Sequence, residues 1–563
     1  VLLRTPGPIS VPAATGSTAQ PAAPQTDLLA IAPERHKLSP APEGVGNGRP
    51  FVNEAFRDFS DGRQRQAYAS AVARATVPKV QSDKTPEQAR DMVARAHAAF
   101  SAWRDIDPRT RAAVLTRAAA LMREQRDGLA GVMIKEAGKT WREADADVCE
   151  AIDFCEYYAR FAVPLFERQR IGRFIGELDE QWYQPRGVAV IISPWNFPLA
   201  ICCGMTVAAL VTGNPAIVKP AEQTAGIASI MCDILQQAMR DSGVPAPLAK
   251  DVLHFCPAPG ETTGAALVRD PRVALTAFTG SMHVGLDILN ASAPASPFAG
   301  SFKTPTHVKK VVCEMGGKNA IIIDTTADLD EAILGVRHSA FGFQGQKCSA
   351  ASRVIVVDPE GPEGPAIRLF THRFVEASRA LSIGDPTLPG TDIGPVIDAD
   401  SKAKIHKYIE LGRQQSRLEL ALPVPPGLEE KTGRHFVGPH IFSGVKPDHA
   451  IATDEIFGPV VAIIHAATFQ EALDIANGSP YKLTGAVYSR KPSHIEQAKR
   501  EFRVGNLYLN RGSTGALVAR QPFGGSGMSG TGSKAGGMDY LLHFVEPRVT
   551  CENAMRRGFA PEL

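Results

Sequence analysis

Two residues of this chain have the type and the neighbours for covalent chemistry. Cys348 lies in Phe343-Gln344-Gly345-Gln346-Lys347-Cys348-Ser349, thirty-four residues after Glu314, which opens Glu314-Met315-Gly316-Gly317-Lys318-Asn319. A cysteine among small neighbours and beside a lysine can be held partly exposed as a thiolate, the form that attacks carbonyl carbon. A carboxylate ahead of a Gly-Gly turn can act as a base that activates water. Together they point to a thioester route rather than simple hydride transfer. A lone cysteine is more often one small buried residue, so the reading rests on what accompanies it.

The run Ile192-Ser193-Pro194-Trp195-Asn196-Phe197-Pro198 follows an apolar segment, and its two prolines frame a rigid loop around Asn196. An asparagine amide aimed at a reacting carbonyl is a sound oxyanion donor, and loss of one such donor costs about 2.7–4 kcal/mol of barrier; a turn asparagine bonded to its own backbone is the plainer reading. Lys219-Pro220-Ala221-Glu222 stands at another strand end. There Lys219 can bond ribose hydroxyls, and Glu222 can accept from a 2′-hydroxyl while repelling a 2′-phosphate; two solvated charges are the alternative. Gly280-Ser281-Met282-His283-Val284-Gly285 follows an apolar run and opens a helix, where a glycine admits a pyrophosphate to the helix N-terminus. Its G-x-x-x-x-G spacing is weak as a dinucleotide fingerprint, and an ordinary helix start fits equally well.

The elements that must position these residues are α/β. Short apolar runs at 188–192, 216–218, 252–255, 273–278, 310–313, 320–323 and 354–357 read as buried parallel strands. So many units suggest two sheets. From Thr85 onward alanine-rich helices precede them, one starting at Pro86. Residues 1–50 are Pro/Ala/Gly/Ser-rich without periodicity, a linker or tail composition. With 563 residues, 44% of them hydrophobic, the chain can bury several domains. A net charge of +2 without a basic block argues against nucleic acid, and no run of roughly 20 apolar residues argues for an integral membrane protein. Nine cysteines without paired spacing fit a reducing compartment, hence a cytoplasmic location, and no metal is expected.

Seven motifs occur in one order: Pro194-Trp195-Asn196-Phe197-Pro198, Lys219-Pro220-Ala221-Glu222, Phe278-Thr279-Gly280-Ser281, Glu314-Met315-Gly316-Gly317-Lys318, Gly345-Gln346-Lys347-Cys348, Glu455-Ile456-Phe457-Gly458-Pro459 and Pro522-Phe523-Gly524-Gly525. In this the chain resembles the aldehyde dehydrogenase superfamily over about residues 80–550. The resemblance implies Cys348 as nucleophile, Glu314 as hydrolytic base, and Asn196 with the Cys348 N–H as oxyanion hole. It implies NAD as cofactor, bordered by Ser193, Pro194 and Trp195. Lys219 and Glu222 would hold the adenosine ribose, Gly280 and Ser281 would meet the pyrophosphate, and Glu455 and Phe457 would position the nicotinamide ribose and ring.

Leu509-Asn510-Arg511-Gly512-Ser513-Thr514-Gly515-Ala516, with the glycine-rich stretch after Gln521, resembles the superfamily members that oxidise L-glutamate γ-semialdehyde. That likeness implies a carboxylate anchor at Gly512, Ser513 and Ala516, successive N–H groups making an anion nest, with Lys347 and Ser349 as further carboxylate partners. Glu150 would meet the ammonium, although an exposed helix charge fits it nearly as well, and Phe197 and Phe523 would sandwich the aliphatic middle. The domains implied are an NAD-binding unit over 51–313, interrupted near 163–183 by an oligomerisation segment, a catalytic unit over 314–527 and a flap over 528–563. A homo-oligomer follows by the same likeness. Arg49-Pro50-Phe51-Val52-Asn53-Glu54 resembles the joint after the proline dehydrogenase module of bifunctional proline-utilisation proteins, so a proline dehydrogenase module or partner is a further expectation. The alternatives are another small-aldehyde dehydrogenase, a CoA-acylating enzyme, which a hydrolytic base at Glu314 argues against, and a non-catalytic scaffold of this fold.

Overall fold

The computed structural model describes residues 40–46, 48–172, 174–293 and 308–555. The tail before residue 40 and most of the Pro/Ser/Ala-rich 291–307 segment therefore lie outside the described residues.

Five parallel strands form the first sheet: β1 (Val188–Ile192), β2 (Ala216–Lys219), β3 (Leu253–Phe255), β4 (Val273–Thr279) and β5 (Lys310–Glu314), in the spatial order β3-β2-β1-β4-β5. Nearly every residue of β1, β2 and β4 is buried, as continuous Val/Ile/Ala runs covered on both faces require. The strand order reverses between β1 and β4, and ligands of such sheets gather at the carboxyl ends beside that reversal.

The second sheet has seven strands: β6 (Asn319–Ile323), β7 (Ala351–Val357), β8 (Arg417–Ala421), β9 (His440–Ser443), β10 (Val460–Ala466), β11 (Thr484–Tyr488) and β12 (Asn506–Leu509), ordered β8-β9-β10-β7-β6-β11-β12 with only β8 antiparallel. Alternate side chains go to opposite cores. Ile322 and Ile355 join one apolar cluster while Ile321 and Val354 join the other, the two-residue period of a strand buried on both faces. β5 ends on Glu314 and β6 begins at Asn319, so Glu314 stands at the short link between the sheets.

A third, three-stranded antiparallel sheet pairs Gln169–Arg170 and Val545–Asn553 with Glu177–Pro185. The 528–563 segment is thus only partly the flap expected. Before reaching that sheet it runs a 3-10 helix, Met538–Phe544, whose Tyr540, Leu541 and Phe544 are buried in the core of the first sheet and its helices. That core is filled by Trp141–Ala162 and Ala200–Val211, the latter buried on nearly every face. Among the described residues no helix is long and apolar enough to cross a membrane.

Candidate active site

A cavity of about 400 Å³ lies between the two sheets, and its lining includes Cys348, Ser349, Glu314, Phe197 and Phe523. The Cys348 loop joins the helix Leu329–Phe341 to β7 and is wound against its preference: Phe343 (φ 49°) and Gln344 (φ 56°) are both left-handed, as is the following Gly345. Two non-glycine residues in that region store strain that surrounding contacts must hold. Those contacts are present. Gln344 Nε2 donates to Pro395 O at 2.8 Å, Ile397 N donates to Gln346 Oε1 at 3.0 Å, and Asn319 Nδ2 donates to Cys348 O at 2.7 Å and Ala350 O at 2.9 Å.

Lysine does not make Cys348 a thiolate here. The Lys347 ammonium is paired with Glu143 at 2.6 Å, both side chains largely buried, so it lines the cavity without being a free cation for the thiol or a substrate carboxylate. The thiol is half-buried, and desolvation, then the carboxylates Glu455 and Glu314, push it up to about 12 although the Ser349 N–H is aimed at the sulfur. Burial thus favours the neutral thiol at Cys348 over the thiolate. Asn196, buried between its prolines, donates one amide proton to Gln346 O at 3.0 Å, fixing the Asn196 and Cys348 loops against each other and leaving the second proton for a reacting oxygen.

Glu314 is buried beneath the loop that follows Phe523. Ser533 Oγ donates to its Oε1, while Oε2 has no hydrogen-bond partner. Burial pushes the carboxyl up to about 8 against the pull of Ser533, the Gly525 N–H and Lys534.

One face of the helix Trp141–Ala162 supplies an acidic wall. Glu143 and Glu150 line the cavity two turns apart, and Asp147 lies between them, fully buried 3.0 Å from the Lys139 ammonium. Lys139 Nζ also sits over the Phe197 ring (4.1 Å) and the Phe343 ring (4.6 Å). Burial first, then Asp147, raises Glu150 to about 8. Glu143 escaped the sequence reading, although its spacing from Glu150 on an amphipathic helix was the available signal.

The anchor loop needs correction. Gly512 and Ser513 do not line the cavity. Ser513 is fully buried, its N–H donating to Ser339 Oγ at 3.0 Å and its hydroxyl to Ser349 O at 3.4 Å. A Cβ at Gly512 would stand 2.6 Å from Ser339 Oγ, so that glycine serves close packing. The loop turns at Gly515 (φ 75°) and presents Gly515, Ala516, Leu517 and Val518 to the cavity. Of the three anchor residues expected, only Ala516 faces the cavity, and Gly515 joins it. Its left-handed φ was the physical clue, but a run with three candidate turn residues did not show which one bends.

Of the remaining residues expected at a cofactor, Ser193, Pro194, Trp195, Lys219, Glu222, Gly280 and Ser281 follow strands of the first sheet, whereas Glu455 and Phe457 stand just ahead of β10 in the second. Lys219 Nζ meets Glu222 Oε1 at 2.7 Å, and the Gly260 N–H donates to the same oxygen at 3.1 Å. Ser193 is buried after β1, its N–H donating to Lys219 O. Gly280 follows β4, its N–H donating to Glu314 O. Ser281 caps the helix Met282–Ser292, accepting from Val284 N at 3.4 Å. Trp195, next to Pro194, meets Phe457 edge to face at 5.5 Å, and Phe457 itself has φ 59°. Glu455 accepts from the Gly317 N–H at 2.9 Å. A half-exposed carboxylate beside a lysine at a strand end suits hydroxyls rather than a phosphate, so this donor set fits a dinucleotide with free ribose hydroxyls.

The sequence profile of the aldehyde dehydrogenase family matches residues 60–550. The 1-pyrroline-5-carboxylate dehydrogenase of Geobacillus thermodenitrificans is 41% identical over 537 residues, which cover 90% of this chain and 99% of that protein. 1-Pyrroline-5-carboxylate dehydrogenase 2 of Bacillus subtilis is 42% identical over 471 residues, 84% and 87% of the two chains. Among solved structures, the Thermus 1-pyrroline-5-carboxylate dehydrogenase with bound NAD superposes with a TM-score of 0.82 at 39% identity, over 90% of this chain and all of that one. Proline utilization A of Bdellovibrio bacteriovorus, inactivated by N-propargylglycine, gives 0.83 at 40% identity; the match covers 93% of this chain and 55% of that longer one.

Proposed function

Because the chain belongs to the aldehyde dehydrogenase family, we propose that it oxidises L-glutamate γ-semialdehyde to L-glutamate with NAD, a step of proline breakdown. The observation that carries the reading is the single cavity that holds a thiol, a buried carboxyl base, the Gly515–Ala516 turn and the acidic Glu143–Glu150 wall. A small aldehyde bearing a carboxylate and an ammonium has a partner in it for each group.

Lys219, Glu222, Gly280, Ser281, Glu455 and Phe457 would hold NAD, with Ser193, Pro194 and Trp195 beside it. NAD when bound supplies the acceptor for the aldehyde hydride. The other steps belong to the protein. The Cys348 sulfur adds to the aldehyde carbon as its thiol proton passes to solvent, and the Asn196 amide and Cys348 N–H stabilise the developing oxyanion. Loss of hydride leaves a thioester on Cys348. Glu314, once ionised, takes a proton from water, the hydroxide adds to the thioester carbon, and collapse releases the acid and the thiolate. Gly515, Ala516 and Ser349 would receive the substrate carboxylate, and Glu150 the ammonium, with Phe197 and Phe523 against the methylenes. The semialdehyde arises from an oxidation of proline, so a proline dehydrogenase is the partner activity that fits. Self-association would use the three-stranded sheet.

NADH formation from pyrroline-5-carboxylate, compared with propanal and hexanal, tests the substrate. Cys348→Ala should abolish oxidation. Glu314→Ala should release about one NADH per site in a burst and then stall. Steady turnover of Glu314→Ala at the parental rate, or equal kcat/KM for hexanal and the semialdehyde, would refute the assignment.

A further inference from the structure

The Phe51–Phe59 arm does not belong to either sheet, yet it reaches the cavity, whose lining includes Phe56, Arg57 and Phe59. No helix or strand forms between residues 49 and 58, so side chains must hold the arm. Two buried carboxylates on Trp141–Ala162 do so. Asp153 Oδ1 accepts from Glu54 N at 2.7 Å, and Asp145 Oδ2 accepts from Arg57 N at 2.8 Å. Phe51 packs edge-on to Tyr157 at 5.1 Å, and Phe59 to Trp141 at 5.4 Å. Asn53 goes further. Its Nδ2 donates to Asp153 Oδ2 at 2.8 Å and also to Val518 O at 2.9 Å. Both amide protons are thus spent, one on the helix that carries Glu150 and one on the loop that carries Gly515 and Ala516.

We propose that Asn53 is a positioning residue for substrate selection, a strut that fixes the separation between the Gly515–Ala516 turn and the Glu150 wall. This inference rests on the reading of the cavity as a site for a substrate with a carboxylate and an ammonium. Residues 100 and 465 positions away meet on one amide, so losing it lets the loop drift from the helix while Cys348, Glu314 and Asn196 keep their own contacts. A ligand gripped at both ends then suffers. A ligand with only an aldehyde does not.

The experiment is steady-state kinetics of the whole enzyme with Asn53→Ala. KM for the semialdehyde should rise roughly fivefold to tenfold, the scale of one oriented hydrogen bond, with kcat and the kcat/KM for propanal within about twofold of the parent. As a second readout, the parent should bind L-glutamate more tightly than glutarate, which lacks the ammonium, and Asn53→Ala should narrow that ratio. The double exchange Asn53→Asp with Asp153→Asn keeps an arm-to-helix hydrogen bond but offers Val518 O no donor, so it must show the same KM rise even if Asn53→Ala folds poorly. Glu54→Ala, which leaves the Asn53 bonds in place, should leave KM unchanged. An unchanged KM and an unchanged glutamate-to-glutarate ratio overturn the proposal, as does an equal loss for propanal. A parent that does not prefer the semialdehyde to propanal overturns the substrate reading itself, and the strut with it.

Discussion

At Glu314 a carboxyl group sits where ionisation is costly, and its usefulness as a base depends on pH. Burial lifts it to about 8, so the carboxylate proposed to activate water accumulates only as pH approaches that value. With thioester hydrolysis limiting, kcat should climb about tenfold per pH unit below 8 and level above it. Glu314→Gln should be flat with pH and lower by roughly 10²–10⁴-fold; a parental profile flat from pH 6 to 9 would contradict the assignment. The sign for stability runs the other way from a salt-bridged acid. The folded chain holds this proton more tightly than the unfolded one, so the cost of ionisation is absent below the ordinary value of 4.5, grows with pH and is complete above about 8. Glu314→Gln should therefore gain melting temperature over the parent at pH 9 more than at pH 5.5. Cys348 and Glu314 could be picked out as candidates from their neighbours, but the burial that governs their ionisation could not. Lys347 looked like a local activator until Glu143, 204 residues earlier in the chain, was found to neutralise it. Contacts of that span leave no trace in local text.

The elements meet at Lys139. Its ammonium touches Asp147 on Trp141–Ala162, Phe197 on the Asn196 loop and Phe343 on the Cys348 loop, while Asp147 Oδ1 accepts from Ala200 N at the head of the next helix. One buried cation thus holds three loops and helices in register. Removing one partner of a buried pair strands the other, at a cost of about 3–5 kcal/mol. Lys139→Met should lose that much in denaturant unfolding and drop kcat, and adding Asp147→Asn should return most of the stability. No recovery in the double variant would mean that the pair is not what the Met substitution breaks. At this scale the sequence was most legible where strands are buried on both faces. All seven apolar runs named from it are strands within a few residues, because continuous Val/Ile/Ala text has no other easy burial. β8 and β12, by contrast, stand at the sheet margins with mixed text, and the Glu177–Pro185 strand is only partly buried along most of its length. The anchor loop failed for a different reason: Gly512 and Gly515 are alike as letters, and only packing against Ser339 separates their duties.

For the whole molecule, the three-stranded sheet and the segments beside it carry exposed apolar side chains among the described residues: Phe174 and Ile175 in the connection between its first two strands, Val549 on the last strand and Met555 just after it are 68%, 88%, 58% and 65% exposed. Apolar side chains gathered on a small sheet mark a surface that another protein covers, and a second copy is the economical partner. Ile175→Glu should shift the enzyme to a smaller species in sedimentation or size-exclusion measurements while the fold persists; an unchanged mass would move self-association elsewhere. The same end of the chain has a consequence in time. Glu314 meets the hydroxyl of Ser533, which is made 219 residues later, and at roughly 5–20 residues per second that interval is on the order of ten to forty seconds of synthesis. From Cys348 onward, which is the last 185 residues of that interval, the growing polypeptide carries the candidate nucleophile but lacks the loop that buries Glu314. Competence is therefore conferred only once Ser533 has been made, and a ribosome-bound chain stopped before it should hold a thiol that alkylates readily yet completes no turnover.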